Sequence, residues 1–223
     1  MKKVLALNGS PRKTGNTSLL LDQFIKGAGK NTSFAETINT HEMQLEYCRG
    51  CLRCNILGRC SIQGDEWETI SRKILESDVL VLASPIYFHH VTASMKKLID
   101  RFRSFIHVQI TETGLIHTPW HTWKKDFVLL LSMGSSDTSD ARPVIELFHF
   151  MTSILGPGNT LHVVTATRLA VVQQVMKTEK ELETLYAKMN IPIRLAAGDY
   201  KKNQETLETC YSLGDTLTKD KQN

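Results

Sequence analysis

Four of the five cysteines of this chain stand close together, at Cys48, Cys51, Cys54 and Cys60. Their spacing, C-x2-C-x2-C-x5-C, places three thiols at i, i+3 and i+6, so that the set could wrap the corners of a cubane cluster. Zinc sites more often use two ligand pairs separated by a longer segment. We therefore predict that the four thiolates hold a [4Fe–4S] cluster. Two alternatives stay open, a loop of free or pairing thiols without a cluster and a zinc site.

Three arginines alternate with these cysteines, namely Arg49, Arg53 and Arg59. Their positive charge would stabilise thiolates and offset the negative charge of a ligated cluster. Gly50 and Gly58 give the backbone freedom to fold around a compact object. The cysteine-rich loop is thus assigned to residues 48–60.

A second chemically promising segment is GSPRKTGNT at residues 9–17, which is rich in hydroxyls, lacks a carboxylate and leads into a helical pattern. Backbone N–H groups at a helix N-terminus attract an anion, and Arg12 adds a fork of donors that suits phosphate. The P-loop and the dinucleotide-binding glycine pattern are both absent from the sequence. Hydroxyls before a helix often only cap it. After the first strand of a parallel sheet, however, we favour a phosphate site.

Two further loops follow predicted strands. Residues 84–88 (SPIYF) come after the most apolar strand, where Pro85 and Tyr87 could shape a surface for a planar ligand. Residues 132–137 (SMGSSD) are small and polar. Because ligands of open parallel sheets lie at the carboxyl ends of the strands, the three loops are expected to form one site.

The elements that would position these residues alternate along the chain. Strands are predicted at 3–7, 34–43, 78–84, 126–133 and 160–165, and helices at 16–29, 65–75, 92–105 and 141–155. This alternation predicts an α/β fold, doubly wound, with a central parallel sheet of about five strands and helices on both faces. The sequence contains no repeat or linker, so we predict a single domain over 1–223.

Two stretches fit the alternation poorly. Residues 107–125 are too long for a plain connection, and we interpret them as a surface excursion that covers a subunit interface rather than as a metal site. Residues 177–189 are a predicted extra helix and 191–196 a predicted strand, and neither is placed in the sheet. Cys210, the remaining cysteine, is expected to be a small buried hydrophobe on a helix.

Composition excludes some classes of function. The chain has 223 residues with 27 Lys and Arg against 23 Asp and Glu, and its net charge of +4 is spread along the sequence. A nucleic-acid surface usually shows a concentrated basic stripe. The apolar runs are far too short to span a bilayer, and the start of the chain lacks a signal peptide's apolar segment. We expect a cytoplasmic protein without nucleic-acid or membrane partners.

Taken together, these motifs resemble the iron–sulfur flavoprotein branch of the NAD(P)H-dependent FMN reductase family, which has a flavodoxin-like fold. The resemblance covers roughly the first two-thirds of the chain. It is carried by the 9–17 loop, the cysteine motif, SPIY at 84–87 and KKLIDR at 96–101, and GDYKKN at 198–203 resembles the tail of related reductases. The chain departs from the pattern at His89, His90 and Thr92, where relatives have glycine and proline, and in its third loop, whose only glycine is Gly134.

The resemblance implies a set of contacts to FMN. The phosphate would be held at the first loop, by Ser10, Arg12, Asn16 and Thr17. Ser18 is a further candidate for binding the cofactor. The isoalloxazine would lie along Pro85, Ile86, Tyr87 and Phe88, with Ser132 and Gly134 of the third loop completing the site. The four cysteines would hold a [4Fe–4S] cluster near the flavin, often close to a subunit interface. No catalytic acid or base is named, and His89 and His90 are interpreted as polar lining.

The implied function is an FMN-binding oxidoreductase that accepts reducing equivalents from NAD(P)H or a ferredoxin-like donor and relays them through the cluster. Such proteins are homo-oligomers, either dimers or tetramers, that exchange electrons with small molecules or redox proteins. Two alternatives stay open. One is a cluster-free NAD(P)H-dependent flavin, quinone or nitro reductase. The other is an electron carrier that docks a redox partner and turns over no substrate.

Overall fold

A computed structural model describes residues 1–29 and 31–219 of the chain, so residues 30 and 220–223 of the predicted domain lie outside the described residues. The strands are β1 (Lys2–Asn8), β2 (Thr32–Asn39), β3 (Val79–Pro85), β4 (Ile106–Thr111), β5 (Gly114–Pro119), β6 (Asp126–Ser132) and β7 (Thr160–Ala166). The helices are α1 (Asn16–Ala28), α2 (Cys54–Leu57), α3 (Trp67–Glu76), α4 (Ala93–Arg101), α5 (Arg142–Ile154), α6 (Glu179–Lys188) and α7 (Ala196–Thr218).

Five of the strands form one parallel sheet in the order β2-β1-β3-β6-β7. This is the doubly wound arrangement predicted from the alternation of strands and helices. The strand order reverses between β1 and β3, and all five carboxyl ends meet at one edge of the sheet. A crevice opens at that edge where the order reverses, which is where ligands of such sheets bind.

The sheet is buried on both faces, which explains its near-continuous apolar strands. Alternate residues of β3 point to opposite sides, with Leu80 and Leu82 in one core and Val81 in the other. The first core is closed by α3, α4 and α5, and the second by α1 and α7. The two apolar layers pack against both faces of the sheet, so the loops at its carboxyl edge start from a buried base.

Helix α1 is locked against α7 through two glycines. A Cβ atom on Gly27 would lie 2.0 Å from the carbonyl oxygen of Tyr211, and one on Gly214 would lie 2.1 Å from that of Phe24. Only glycine permits so close an approach of the two backbones. Cys210 of α7 is fully buried there, as predicted, and burial raises the pKa of its thiol to about 12.

The predicted strand over 191–196 is wrong. The chain forms a 3-10 turn at Ile193–Leu195 and continues directly into α7. Pro192 has no N–H to give to a strand ladder, and its carbonyl instead accepts from the amide of Leu195. The apolar residues of this stretch pack against α6, whose predicted existence is confirmed.

Two other segments differ in detail from the prediction. The helix predicted over 92–105 ends as an α-helix at Arg101 and continues as a 3-10 turn over Phe102–Phe105. The excursion at 107–125 contains most of an antiparallel hairpin, β4 with β5, which stands outside the main sheet. Its role at a subunit interface stays a prediction. Within the described residues, no helix has the length and apolar character needed to cross a membrane.

Candidate functional site

The loop between β1 and α1 is held in shape by its own side chains. Asn8, at the end of β1, accepts a hydrogen bond from the amide of Ser10 and donates one to Ser18 Oγ, both at 3.0 Å. The Arg12 amide donates to Ser10 Oγ, and Ser18 Oγ donates to the Arg12 carbonyl at 2.9 Å. Ser18 therefore lies beneath the loop and supports its backbone.

The N-terminus of α1 faces the crevice without a side-chain cap from any described residue. Its first amides and the helix dipole are thus available to an anion. Gly15 precedes the helix, and a Cβ atom there would lie 3.1 Å from Ser10 Oγ and from two atoms of Arg12. A small residue at this position keeps the loop tight, while the side chain of Arg12 is exposed at the rim.

Asn16 connects α1 to the loop that follows β7. Its Nδ2 donates to the carbonyls of Val171 at 2.8 Å and Leu169 at 3.4 Å, and its Oδ1 accepts from the amide of Val175 at 3.0 Å. Both polar atoms of the amide are thereby used within the protein. The geometry makes Asn16 a brace between two loops at this edge of the sheet.

A cleft of about 220 Å³ opens at the carboxyl edge between four loops. Thr17 Oγ1 and Ser132 Oγ share a buried hydrogen bond of 2.6 Å that joins the first and third loops in its floor. Nine of the eleven residues predicted to contact a cofactor line this cleft, namely Ser10, Arg12, Asn16, Thr17, Pro85, Ile86, Tyr87, Ser132 and Gly134. The other two, Ser18 and Phe88, lie outside its lining.

The second loop ends in a tight turn over Tyr87–His90. The amide of Tyr87 donates to the carbonyl of His90 at 2.8 Å, and the amide of His90 donates back at 3.0 Å. Phe88 and His89 have φ values of 49° and 60°, a conformation that favours asparagine and glycine. The Phe88 side chain is fully exposed at the tip of the turn.

The fourth wall of the cleft, which the sequence motifs do not predict, consists of Leu169 and Ala170 from the loop after β7. Gln174 shapes that loop, because its Oε1 accepts from the Ala170 amide at 2.9 Å and its Nε2 donates to the Arg168 carbonyl at 2.7 Å. The rule that ligand loops follow parallel strands applies to β7 as well, so it could have found this segment.

The C-terminal helix fixes the same loop. Asp199 of α7 accepts from Arg168 Nε at 2.9 Å and from the Tyr186 hydroxyl at 2.6 Å. Burial, followed by the bond to Asp199, raises the pKa of Tyr186 to about 12. The segment at 198–203 therefore acts on the cleft indirectly, by holding the backbone next to Leu169.

The predicted cysteine ligands lie together on one loop but differ in exposure. Cys48 and Cys51 are exposed, Cys60 is half-buried, and Cys54 is buried at the start of α2. All four are free thiols. In the described part of the chain, no three His, Cys, Asp or Glu side chains are close enough together to hold a metal ion. The loop is thus not a preformed metal cage.

Arginines from outside the motif reach the sulfur atoms. Arg103 Nη1 lies 3.5 Å from Cys54 Sγ. Arg101 is 1% exposed and forms an ion pair with Asp65. Burial by itself would lower the pKa of Arg101. The bond to Asp65 and the nearby Cys60 side chain outweigh burial, so the pKa of Arg101 is raised. The arginines inside the motif are all exposed, namely Arg49, Arg53 and Arg59.

The family model described as NADPH-dependent FMN reductase matches residues 2–173, which is most of the chain. The chain belongs to the NADPH-dependent FMN reductase family. This confirms the family resemblance seen in the sequence motifs.

The chain is also similar to two archaeal iron–sulfur flavoproteins over part of its length. It is 38% identical over 105 residues to an iron–sulfur flavoprotein of Archaeoglobus fulgidus, which is 47% of this chain and 47% of that protein. It is 38% identical over 101 residues to an iron–sulfur flavoprotein of Methanocaldococcus jannaschii, 45% of this chain and 52% of that protein. The matches therefore span about half the length of these relatives.

A solved structure shows the shared fold. The NAD(P)H:quinone oxidoreductase from Methanothermobacter marburgensis superposes with a TM-score of 0.64 at 14% sequence identity, covering 98% of each chain. Together with the strand order, this confirms the predicted flavodoxin-like sandwich.

The cleft fits the cofactor after which the FMN reductase family is named. FMN combines a phosphate with a planar ring. The uncapped N-terminus of α1 suits the phosphate, because its first amides and the helix dipole attract an anion, and Ser10 lines the same cleft. Pro85 and Tyr87 stand at the rim, where a ring could lie.

The cysteine loop also fits, in donor chemistry, an anionic iron–sulfur group. Such a cluster needs four thiolates, and the loop carries four. Arg101 Nε is buried, and no acceptor for its N–H is found among residues 1–29 and 31–219. A buried guanidinium N–H without an acceptor beside a cysteine is suited to a negatively charged sulfur.

A separate apolar cavity of about 450 Å³ lies between the cysteine loop, α4, α5 and the β4–β5 hairpin. Leu52 of the cysteine loop and Arg103 are part of its wall, and the hairpin contributes Ile110 and Leu115. The cavity and the cleft at the carboxyl edge have separate walls.

Proposed function

We propose that this protein is an FMN-dependent NAD(P)H oxidoreductase that binds FMN in the cleft at the carboxyl edge of the sheet. The observation that carries the proposal is the convergence of nine predicted contact residues on one cleft, in a chain of the FMN reductase family. FMN, when bound, supplies the capacity to accept two electrons together and release them singly.

In this proposal the residues of the cleft bind and orient rather than transfer protons. Ser10, Arg12 and the first amides of α1 hold the phosphate. Thr17 and Ser132 form the floor through their shared hydrogen bond. Two further residues, Pro85 and Tyr87, line the place for the ring.

We further propose that Cys48, Cys51, Cys54 and Cys60 hold a [4Fe–4S] cluster. The group would supply a one-electron site in addition to the flavin. Support comes from the four-thiol motif, the buried Arg101 N–H and the names of the two archaeal relatives. The electron donor is proposed to be NAD(P)H, with a ferredoxin-like protein as the other donor class.

A second candidate function is a cluster-free NAD(P)H-dependent reductase of flavins, quinones or nitro compounds. The observation that favours it is that, over the described residues, the cysteines are not gathered into a metal-binding group. A loop of free thiols would then stand beside a working flavin site.

Anaerobic purification followed by a visible spectrum and assays for flavin, iron and sulfide separates these candidates. Flavin with about four irons per chain supports the first function. Flavin without iron supports the second. The Cys54→Ser variant should lose iron and keep FMN, while Cys210→Ser, a buried cysteine outside the motif, should keep both. Absence of flavin after reconstitution would overturn the proposed FMN site.

The same preparation tests the donor. Anaerobic NADPH or NADH should bleach the flavin absorbance. If neither nicotinamide does so and reduced ferredoxin does, the protein is an electron carrier that docks a redox partner, and the oxidoreductase proposal with NAD(P)H is overturned.

We also propose that the protein is a homo-oligomer, a dimer or tetramer. Support comes from the apolar side chains that one face of the β4–β5 hairpin exposes, Ile110 and Leu115. Exposed apolar groups gathered on one hairpin are typical of a surface that another chain covers.

A further inference from the structure

Arg103 is held in a fixed orientation beside a buried cysteine. Its Nη1 lies 3.5 Å from Cys54 Sγ and also donates to the carbonyl of Ile106 at 2.7 Å. Its Nη2 donates to Asn55 Oδ1 at 2.7 Å, and Asn55 in turn donates to the carbonyl of Val108. The guanidinium is thus clamped between α2 and β4 and presents one N–H to sulfur.

The charge of Arg103 is not neutralised nearby. Within residues 1–29 and 31–219, no carboxylate forms an ion pair with this guanidinium. Arg101 differs, because Asp65 pairs with it and its charge is largely compensated. What Arg101 offers is its buried Nε–H, which has no acceptor among the described residues. The two side chains therefore supply different things, uncompensated charge at Cys54 and an N–H donor near Cys60.

The arginines of the motif itself are placed differently. Arg49 is 68% exposed and lies 3.6 Å from a carboxylate oxygen of Glu46. Arg53 and Arg59 are also exposed. Water and salt screen charges in such positions, so their effect on a group held by the thiols is weak.

We propose that Arg103, assisted by Arg101, is the positioning residue that sets the charge environment of the group held by the four cysteines. The inference rests on the proposed iron–sulfur function. One-electron reduction adds a negative charge at that group. A fixed positive charge and N–H bonds to sulfur stabilise the reduced form more than the oxidised form, and so raise the midpoint potential.

The test uses the full-length protein with both cofactors and three variants. Arg103→Gln removes the charge and keeps N–H donors, and Arg103→Lys keeps the charge without the forked geometry. Arg49→Gln makes the same change of charge at an exposed site within the motif and is the matched control. The midpoint potential is measured by an EPR-monitored redox titration, alongside iron and FMN content per chain.

The expected result is a more negative midpoint potential in Arg103→Gln, a smaller shift in Arg103→Lys, and the wild-type value in Arg49→Gln, with iron and FMN content unchanged in all three. Equal potentials in Arg103→Gln and Arg49→Gln overturn the inference and leave the proposed function intact. Loss of iron from both Arg103 variants also overturns it, because the residue would then be structural. Wild-type protein that binds FMN but never iron overturns the cluster together with this inference, while bleaching by NAD(P)H still tests the flavin function.

Discussion

At the residue scale, the side chains of the cleft divide into those that build it and those that remain available to a ligand. The first group comprises Asn16, Thr17 and Ser18, whose side chains form hydrogen bonds to other loop residues at this edge of the sheet. Arg12 stands at the rim with its side chain exposed. Substitutions in the first group should therefore change the shape of the cleft, and substitution of Arg12 should change its affinity for phosphate.

Arg12→Ala is expected to weaken FMN binding about 10- to 100-fold, because a charge-assisted hydrogen bond contributes about 1.5–3 kcal/mol. The affinity for riboflavin, which lacks the phosphate, should change little. The measurement is the dissociation constant of each flavin by fluorescence quenching. Lys13→Ala is the control, since Lys13 is adjacent, exposed and paired with Glu42. Equal losses for both flavins would show that Arg12 does not contact phosphate.

Asp65 gives the buried ion pair a pH dependence. Burial alone would raise the pKa of Asp65, but bonds from Arg101 and from the amides of Glu46 and Trp67 hold that pKa below its ordinary value. A carboxyl with a lowered pKa stabilises the folded state above its ordinary pKa, and the contribution is lost as the pH falls through the folded value.

Asp65→Asn is therefore expected to lower the free energy of unfolding by about 3–5 kcal/mol at pH 7, since one charge of a buried pair is left alone. The difference in the free energy of unfolding between wild type and Asp65→Asn should become smaller as the pH falls below about 4. Urea unfolding at a series of pH values measures both. If this difference in the free energy of unfolding stays constant down to pH 2, Asp65 does not have a lowered pKa in the folded protein.

At the element scale, the crossing of α1 and α7 controls the base of the first loop, because α1 begins where that loop ends. Gly27→Ala is expected to destabilise the fold by about 1–3 kcal/mol, as its Cβ would overlap the backbone of α7. Gly198→Ala is the matched control on α7, where nothing lies within 4 Å of the added Cβ. That control should gain about 0.5–1 kcal/mol from helix propensity. Equal stability of the two variants in urea would contradict the close crossing.

The Tyr87–His90 turn is a second element whose backbone conformation lowers the stability of the fold by a measurable amount. Phe88 and His89 both occupy the left-handed region, which costs about 1–2 kcal/mol for each residue that is neither glycine nor asparagine. Phe88→Asn combined with His89→Gly should raise the free energy of unfolding by about 1–2 kcal/mol. Phe88→Ala removes the same exposed ring without relieving the backbone and should gain nothing. Thermal and urea unfolding measure the stabilities of the double variant and of Phe88→Ala. Similar free energies of unfolding for the two would show that the turn is not strained.

At the scale of the whole molecule, the β4–β5 hairpin leaves apolar side chains in contact with solvent. Ile110→Glu is expected to shift the proposed oligomer toward monomer, because a charge would be placed in an apolar contact. Gln109→Glu adds the same charge to the opposite face of β4 and should leave the mass unchanged. Sedimentation velocity measures the masses. A monomeric wild-type protein at about 10–100 µM would refute the proposal, since stable interfaces bind more tightly than that.

Much of the fold could be predicted because its determinants are local. The apolar run of β3, the glycines around α1 and the turn residues after each strand lie next to the elements they define. The failure over 191–196 has the opposite cause. Its apolar spacing suits either a strand or a helix packed on α6, and only the neighbouring chain decides between them.

The candidate site was partly predictable for the same reason. Loops that follow parallel strands meet at one edge, so three of the four walls could be found from strand positions alone. The fourth wall depends on Gln174, Asn16 and Asp199, which are distant in sequence from one another and shape the loop after β7. The Phe88 side chain is fully exposed at the tip of its turn, and its contact with the ring stays a prediction.

The sequence by itself determined the compact spacing of the four cysteines, the hydroxyl-rich first loop and the alternation that produces a parallel sheet, because each depends on neighbouring residues. The tertiary structure alone decided which arginines stand beside the sulfur atoms. Arg103 is 49 residues from Cys54 along the chain, and the two meet because the 3-10 turn after α4 packs against α2. The arginines interleaved with the cysteines are exposed instead, since burying an unpaired charge costs far more free energy than leaving it in water.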